Sequence, residues 1–280
     1  MALSKNRRFG LIVFILLIIA AVLVTMEPWK QSSGNLGTSL SAARPASIRI
    51  QWQGLEDGYP VTPFDDTLRS YSGFDLAYNE TYEQASWVAY VLTREEVESG
   101  TVPRSDHFRS DTSIATGSAS PADYRGSGYD RGHLAPAGDM KWSISAMSES
   151  FLLSNMSPQD PSFNRGVWRK LEEKVRTWAV EKESLYVVTG PVLSTVHSSI
   201  GENEVGVPDY YFKVLVDLSP PDYSFIAFLL PNRGSDRKLE DYAVSVDSLE
   251  QFTGYDFFAT APDKNVIEWL EGELDLTKWK

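Results

Sequence analysis

Hydrophobic residues fall along this chain in three patterns, and each predicts a different kind of element. Residues 9–26 are apolar without a single charge, with Lys5, Arg7 and Arg8 just before them and Glu27 just after. A run of about 18 such residues is near the lower limit for a membrane-spanning helix and long for an ordinary buried one. Four shorter runs, at 87–93 (WVAYVLT), 185–189 (LYVVT), 211–216 (YFKVLV) and 225–230 (FIAFLL), are rich in β-branched and aromatic residues and bounded by turn formers. They read as strands, and their nearly unbroken apolarity predicts a sheet covered on both faces. The third pattern lies over 165–181, where Val167, Trp168, Leu171, Val175 and Trp178 recur at steps of three and four. That is one stripe of a helix, with Asn164 standing where an N-cap belongs. Shorter helices are expected at 143–153 and 247–253, the latter stopped by Gly254. Strands and helices mix without strict alternation, so the fold class is α+β rather than a doubly wound sheet.

These patterns divide the chain into a short N-terminus at 1–8, a membrane anchor at 9–26, a linker at 27–47 and a folded domain at 48–280. The cations before the anchor place the N-terminus in the cytoplasm and the domain outside, in a periplasm or cell exterior if the source is bacterial. A cleaved signal peptide is the rival reading. Ala20 and Ala21 are small, but Val22, Leu23 and Val24 carry the apolar run past them, which favours an uncleaved anchor. The stretch 31–47 (QSSGNLGTSLSAARPAS) has the small polar composition of a flexible tether.

Composition narrows the chemistry. With 42 % hydrophobic and 12 % aromatic residues, the 280-residue chain has ample material for a packed core. It has no cysteine, which excludes disulfides, thiolate catalysis, cysteine zinc sites and iron–sulfur clusters. The net charge is −12, and residues 1–26 contribute only three cations, so the remainder carries −15. Bulk electrostatics therefore repel nucleic acid. The segment from Arg104 to Lys141 stands apart as a neutral island, with five cations against five aspartates.

The candidate bases are His107, His133 and His197. His133 is set apart by its neighbours, since Asp130, Arg131, Gly132 and His133 place an acid, a cation, a glycine and a base together after the glycine-rich YRGSG. Phosphodiester hydrolysis needs a base for water, a cation for charge developing on the phosphoryl group, and help for the leaving oxygen. His133 suits the first role and the planar fork of Arg131 the second. Further on, Asn164 is followed by Glu172 and Arg176 on neighbouring strips of the expected helix. On spacing alone these three read more readily as a cap and a solvated salt bridge than as functional groups.

YRGSGYDRGHLAPAGDMKWS, followed by FLLSNMSPQDPSFNRGVWRKLEEKVR, resembles the DNA/RNA non-specific endonuclease family, the endonuclease G-like ββα-metal (His-Me finger) nucleases. Weaker similarity extends the match over roughly residues 50–260, from YVLTREEV to VDSLEQFTGYDFF. The resemblance implies a central, mainly antiparallel sheet flanked by helices. It implies that His133 is the general base, that Asn164 is the single protein ligand of a magnesium ion (manganese a substitute), and that Glu172 orients water at the metal. Arg131 then lies beside the scissile phosphate, and Arg104, in the loosely aligned PRSDHF, stabilises the transition state. Asn155 supports base and metal without ligating, Arg176 assists, and Asp130 holds the signature turn by hydrogen bonds.

The function expected is cleavage of DNA and RNA alike, because phosphate contacts carry no direct sequence information. A phosphodiesterase for a small nucleotide or lipid substrate, and a non-catalytic nucleic-acid-binding module at the membrane, are the alternatives. Oligomeric state stays open, with a homodimer among its options.

Overall fold

The computed structural model describes residues 54–217, 219–220 and 223–280. The expected span at 9–26, the linker at 27–47 and the expected domain start at 48 lie outside them. Among the described residues no helix is long and apolar enough to cross a membrane.

In chain order the strands are β1 (Thr67–Ser70), β2 (Asp75–Asn79), β3 (Gln84–Thr93), β4 (Asp130–His133), β5 (Met156–Gln159) and β6 (Ser184–Pro191). They continue with β7 (Ser198–Ile200), β8 (Val205–Val207), β9 (Tyr210–Asp217), β10 (Ser224–Pro231) and β11 (Ala243–Val244). Seven of them form one sheet in the order β1-β2-β3-β6-β9-β10-β11, while β4 pairs with β5 and β7 with β8. Every ladder is antiparallel. The helices are α1 (Arg94–Ser99), α2 (Pro121–Tyr124), α3 (Ile144–Glu149), α4 (Arg169–Glu181), α5 (Val246–Thr253) and α6 (Lys264–Gly272).

The four apolar runs are the four central strands, and the period-2 alternation of a strand sorts their side chains onto two faces. Val88, Tyr90 and Leu92, Leu185 and Val187, Tyr211 and Leu215, and Ile226, Phe228 and Leu230 pack against Leu171, Val175 and Trp178 of α4. Trp87, Tyr186, Val188, Phe212, Val214 and Phe225 face the other way, against Val246 and Leu249 of α5 and Ile267 and Leu270 of α6. One charge interrupts the first face: Lys213, between Tyr211 and Leu215, is 1 % exposed.

The long helix differs from its pattern. Asp160 is the cap, its carboxylate accepting from the backbone of Ser162 and Phe163 at the head of a short helical turn, Pro161–Phe163. Asn164 is already helical there and is not an N-cap. A π turn over Asn164–Trp168 follows, broken at Gly166 by non-helical angles, and regular α-helix begins only at Arg169. The simple 100° spacing from Asn164 to Glu172 therefore does not hold. The expected helix at 143–153 shortens to α3, capped by the Ser143 side chain, because a 3-10 turn at Leu153–Asn155 leads the chain into β5. Gly254 does end α5, in the left-handed region at φ 74° that suits glycine.

Candidate active site

The two sequence blocks that carry the resemblance pair with each other. DRGH is β4 and MSPQ is β5, with Gly132 opposite Ser157 and His133 opposite Met156. A Cβ on Gly132 would lie 2.1 Å from the side chain of Gln159, so glycine is what lets Gln159 pack flat across the hairpin. The hairpin is tied to the main sheet from β9, where Tyr211 Oη donates to the Pro158 carbonyl at 2.9 Å, and from Asn232, whose amide donates to the same oxygen at 3.0 Å. Behind it, Asn155 is fully buried and clamps the chain leaving β4. It accepts from Ala135 N and donates to the carbonyls of Ala135 and Ser150, each at 2.9 Å. Its amide is engaged by backbone on both ends, so it positions the site and presents nothing to a substrate.

His133 lies in an aromatic slot. The rings of Phe108 and Phe151 stand edge-on to it at 5.7 and 4.9 Å. The Arg131 guanidinium covers Phe108 at 4.0 Å, and that of Arg104 covers Phe151 at 4.9 Å. Each cation is thus steadied on a ring face within electrostatic reach of the imidazole. Nε2 of His133 is buried and has no hydrogen-bond partner among the described residues. Burial, reinforced by Arg104 and Arg131, lowers its pKa to about 3. The imidazole is therefore neutral near pH 7. Arg104 is itself held by Asp106, Nε to Oδ1 at 2.6 Å.

Asp130 connects the hairpin to the π turn. Its Oδ2 accepts from Asn164 Nδ2 at 2.9 Å, and both its oxygens accept from Arg165, at 2.8 and 2.5 Å. The expected role of Asp130 within its own turn gives way to this bridge, which spans 34 residues of sequence. With the Asn164 amide nitrogen engaged, its Oδ1 is left as the donor atom for a cation.

On α4, Arg176 donates to Asp139 Oδ1 at 2.7 Å, and Tyr90 donates to the other oxygen of Asp139 at 2.8 Å. A Cβ on Gly138 would lie 2.8 Å from this guanidinium, so a glycine makes room for it. Glu172, one turn before Arg176, accepts no hydrogen bond from the described residues. Burial raises its pKa, against the opposing pull of Lys213, Arg176 and Arg104.

The structure thus brings His133, Arg131 and Arg104 together, and beside them sets the pair Asp130 and Asn164 and the pair Glu172 and Arg176. Sequence reasoning misses Phe108, Phe151, Asp139, Arg165 and Lys213. A signal existed for Lys213 alone, as a charge at a core-facing position of an otherwise apolar strand.

The donor set can be weighed against a divalent metal. Among the described residues no group of three or more His, Cys, Asp or Glu side chains could hold a metal ion. What is present is one oriented amide oxygen, that of Asn164. Such a sparse oxygen set fits magnesium, which keeps most of its waters and takes the rest of its shell from phosphate.

The family model described as DNA/RNA non-specific endonuclease matches residues 55–264. A nuclease of Nostoc sp. is 34 % identical over 233 residues, 77 % of this chain and 81 % of its own length. Human mitochondrial endonuclease G is 35 % identical over 201 residues, 67 % and 68 % of the two chains. Among solved structures, the EndoG/EndoGI complex, reported for the mechanism of EndoG inhibition, contains a chain of 34 % identity. It superposes with a TM-score of 0.68 over 75 % of this chain and 92 % of its own.

Proposed function

Because the chain belongs to the DNA/RNA non-specific endonuclease family, we propose that its folded domain is a magnesium-dependent endonuclease that hydrolyses DNA and RNA without sequence preference. The observation that supports this most is the cluster itself, in which His133 lies between the rings of Phe108 and Phe151 and each ring carries an arginine guanidinium, Arg131 and Arg104. His133 removes a proton from the attacking water. Arg131 and Arg104 bind the phosphate oxygens and take up the negative charge that grows on them. Asn164 Oδ1, oriented by Asp130, would hold the metal, and Glu172 would orient water there. The bound cation supplies charge to the phosphate and the leaving oxygen. Asn155 and the Asp139–Arg176 pair keep these groups in register. The chemistry touches phosphate and leaves the bases and the 2′-hydroxyl unread, which supports cleavage of both polymers.

We place the domain outside a cytoplasmic membrane, tethered through residues 9–26, on the strength of that apolar run and the cations before it.

The test takes residues 40–280 with supercoiled plasmid and with single-stranded RNA, each with magnesium and with EDTA, beside His133→Ala. Magnesium-dependent loss of both substrates, absent in the variant, is the expected result. No cleavage of either across several metals at low salt would overturn the reading.

A further inference from the structure

The loop that leaves β10 carries charges that the mechanism above does not use. From Arg233 to Lys238 (RGSDRK) three cations meet one acid, in a chain whose net charge is −12. Elsewhere this excess of acid finds the exposed cations: Arg94, Arg104, Arg165 and Arg169 each meet a carboxylate. Arg233 and Lys238 are exposed, and neither forms an ion pair among the described residues.

The loop is held in place beside the candidate active site. Asn232, at its root, accepts from Asp160 N at 2.8 Å and donates to the carbonyls of Pro158 and Pro208, each at 3.0 Å. The Arg233 amide donates back to the Pro231 carbonyl at 2.7 Å, a tight turn that leaves its side chain outside. A Cβ on Gly234 would lie 2.5 Å from Ser162 Oγ, so glycine lets the loop press on the short turn Pro161–Phe163. That turn runs directly into Asn164. Tyr242 Oη donates to Ser235 Oγ, and the buried Tyr242 ends the 3-10 turn that Lys238 caps. Neighbouring acids have partners of their own. Asp160 caps the turn, Asp209 stands 3.9 Å from His197, and Asp241 stands 3.7 Å from Arg237.

We propose that the 233–238 loop is a backbone-binding surface of the nuclease, where Arg233 and Lys238 each take a phosphate of the substrate strand on the Asn164 side of the cleavage site. The inference rests on the nuclease reading above. A phosphodiester strand is the partner that fits. It brings the regularly spaced negative charge that the rest of this acidic surface repels, and each phosphate neutralised releases counterions. Cations mounted on a pinned loop lose little freedom on binding. Contact is with phosphate alone, so it adds affinity and register without sequence preference.

The surface can be read without metal or cleavage. The full chain in detergent and EDTA is titrated into a fluorescein-labelled single-stranded DNA of about 20 nucleotides, and anisotropy gives Kd between about 20 and 200 mM salt. Arg233→Ala combined with Lys238→Ala is expected to raise Kd about tenfold at about 100 mM salt. It should also flatten the slope of log Kd against log salt by about 1.4, or about 0.7 for each phosphate. Arg233→Lys should keep the parent slope. Lys264→Ala removes a cation from α6, which packs on the other face of the sheet, and should stay within about twofold of the parent. A double variant within about twofold of the parent, or an equal loss per charge from Lys264→Ala, would overturn the proposal. So would a parent that binds no strand at the lowest salt. In plasmid cleavage with magnesium, the double variant should raise KM about tenfold with kcat unchanged. If the parent binds the strand but cuts nothing, the nuclease reading fails while the surface stands.

Discussion

A histidine walled in by Phe108 and Phe151 titrates unlike one in water. Stability rises with pH wherever the unfolded chain binds more protons than the folded one. At residue 133 the unfolded chain protonates at about 6.5, and the folded one not until about 3. The stability that His133 confers by staying neutral is therefore present above about pH 6.5 and is lost as pH falls toward 3. Thermal melts recorded across that window should show a shallower acid limb in His133→Ala than in the parent, alongside a loss of cleavage of about a hundredfold or more. An unchanged limb would mean that the folded imidazole is solvated. At this scale the sequence already singled out His133, because its immediate neighbours are chemically unusual. It could not separate Asn155 from the groups that meet substrate, since that depends on where three hydrogen bonds go.

The β4–β5 hairpin and the π turn are the elements on which the site hangs, and Asp130 is the link between them. Its ion pair with the exposed Arg165 is screened by solvent and contributes little to stability, whereas its bond to Asn164 sets which atom of that amide faces a cation. Asp130→Ala is thus expected to change the melting temperature little. It should raise the magnesium concentration for half-maximal plasmid nicking about tenfold. Arg165→Ala should stay within about twofold of the parent. Equal losses in the two variants would assign the effect to the ion pair. The strands were readable because continuous apolarity marks burial on both faces. The π turn was not, because Val167 and Trp168 are buried whether or not the ladder between them is regular. The apolar stripe consequently ran straight through the irregularity. Helix α1 buries no residue and so leaves no apolar stripe in the sequence, although Thr93 and Glu96 form a capping box just before and inside it.

At the scale of the molecule, a net charge of −12 opposes binding to a polyanion. On the proposed function, what holds substrate is local: Arg104 and Arg131 on their rings, with a metal, inside the neutral island from Arg104 to Lys141. With about two phosphates neutralised there, KM for plasmid in the Arg233→Ala, Lys238→Ala variant should rise about tenfold between about 50 and 200 mM salt, with kcat nearly constant. A much steeper rise would point to an extended basic contact surface. The sequence by itself determined the class of fold, the two-faced sheet and the His133 and Asn164 blocks, because burial periodicity and motif chemistry are local along the chain. Only the tertiary structure decided that DRGH pairs with MSPQ, that Asp130 orients Asn164, that Asp139 receives Arg176, and that Lys213 is buried against Trp168. Each of these joins residues tens of positions apart. Whether a carboxylate meets a cation, a backbone amide or water there is settled by the register of packed elements, which no local pattern encodes.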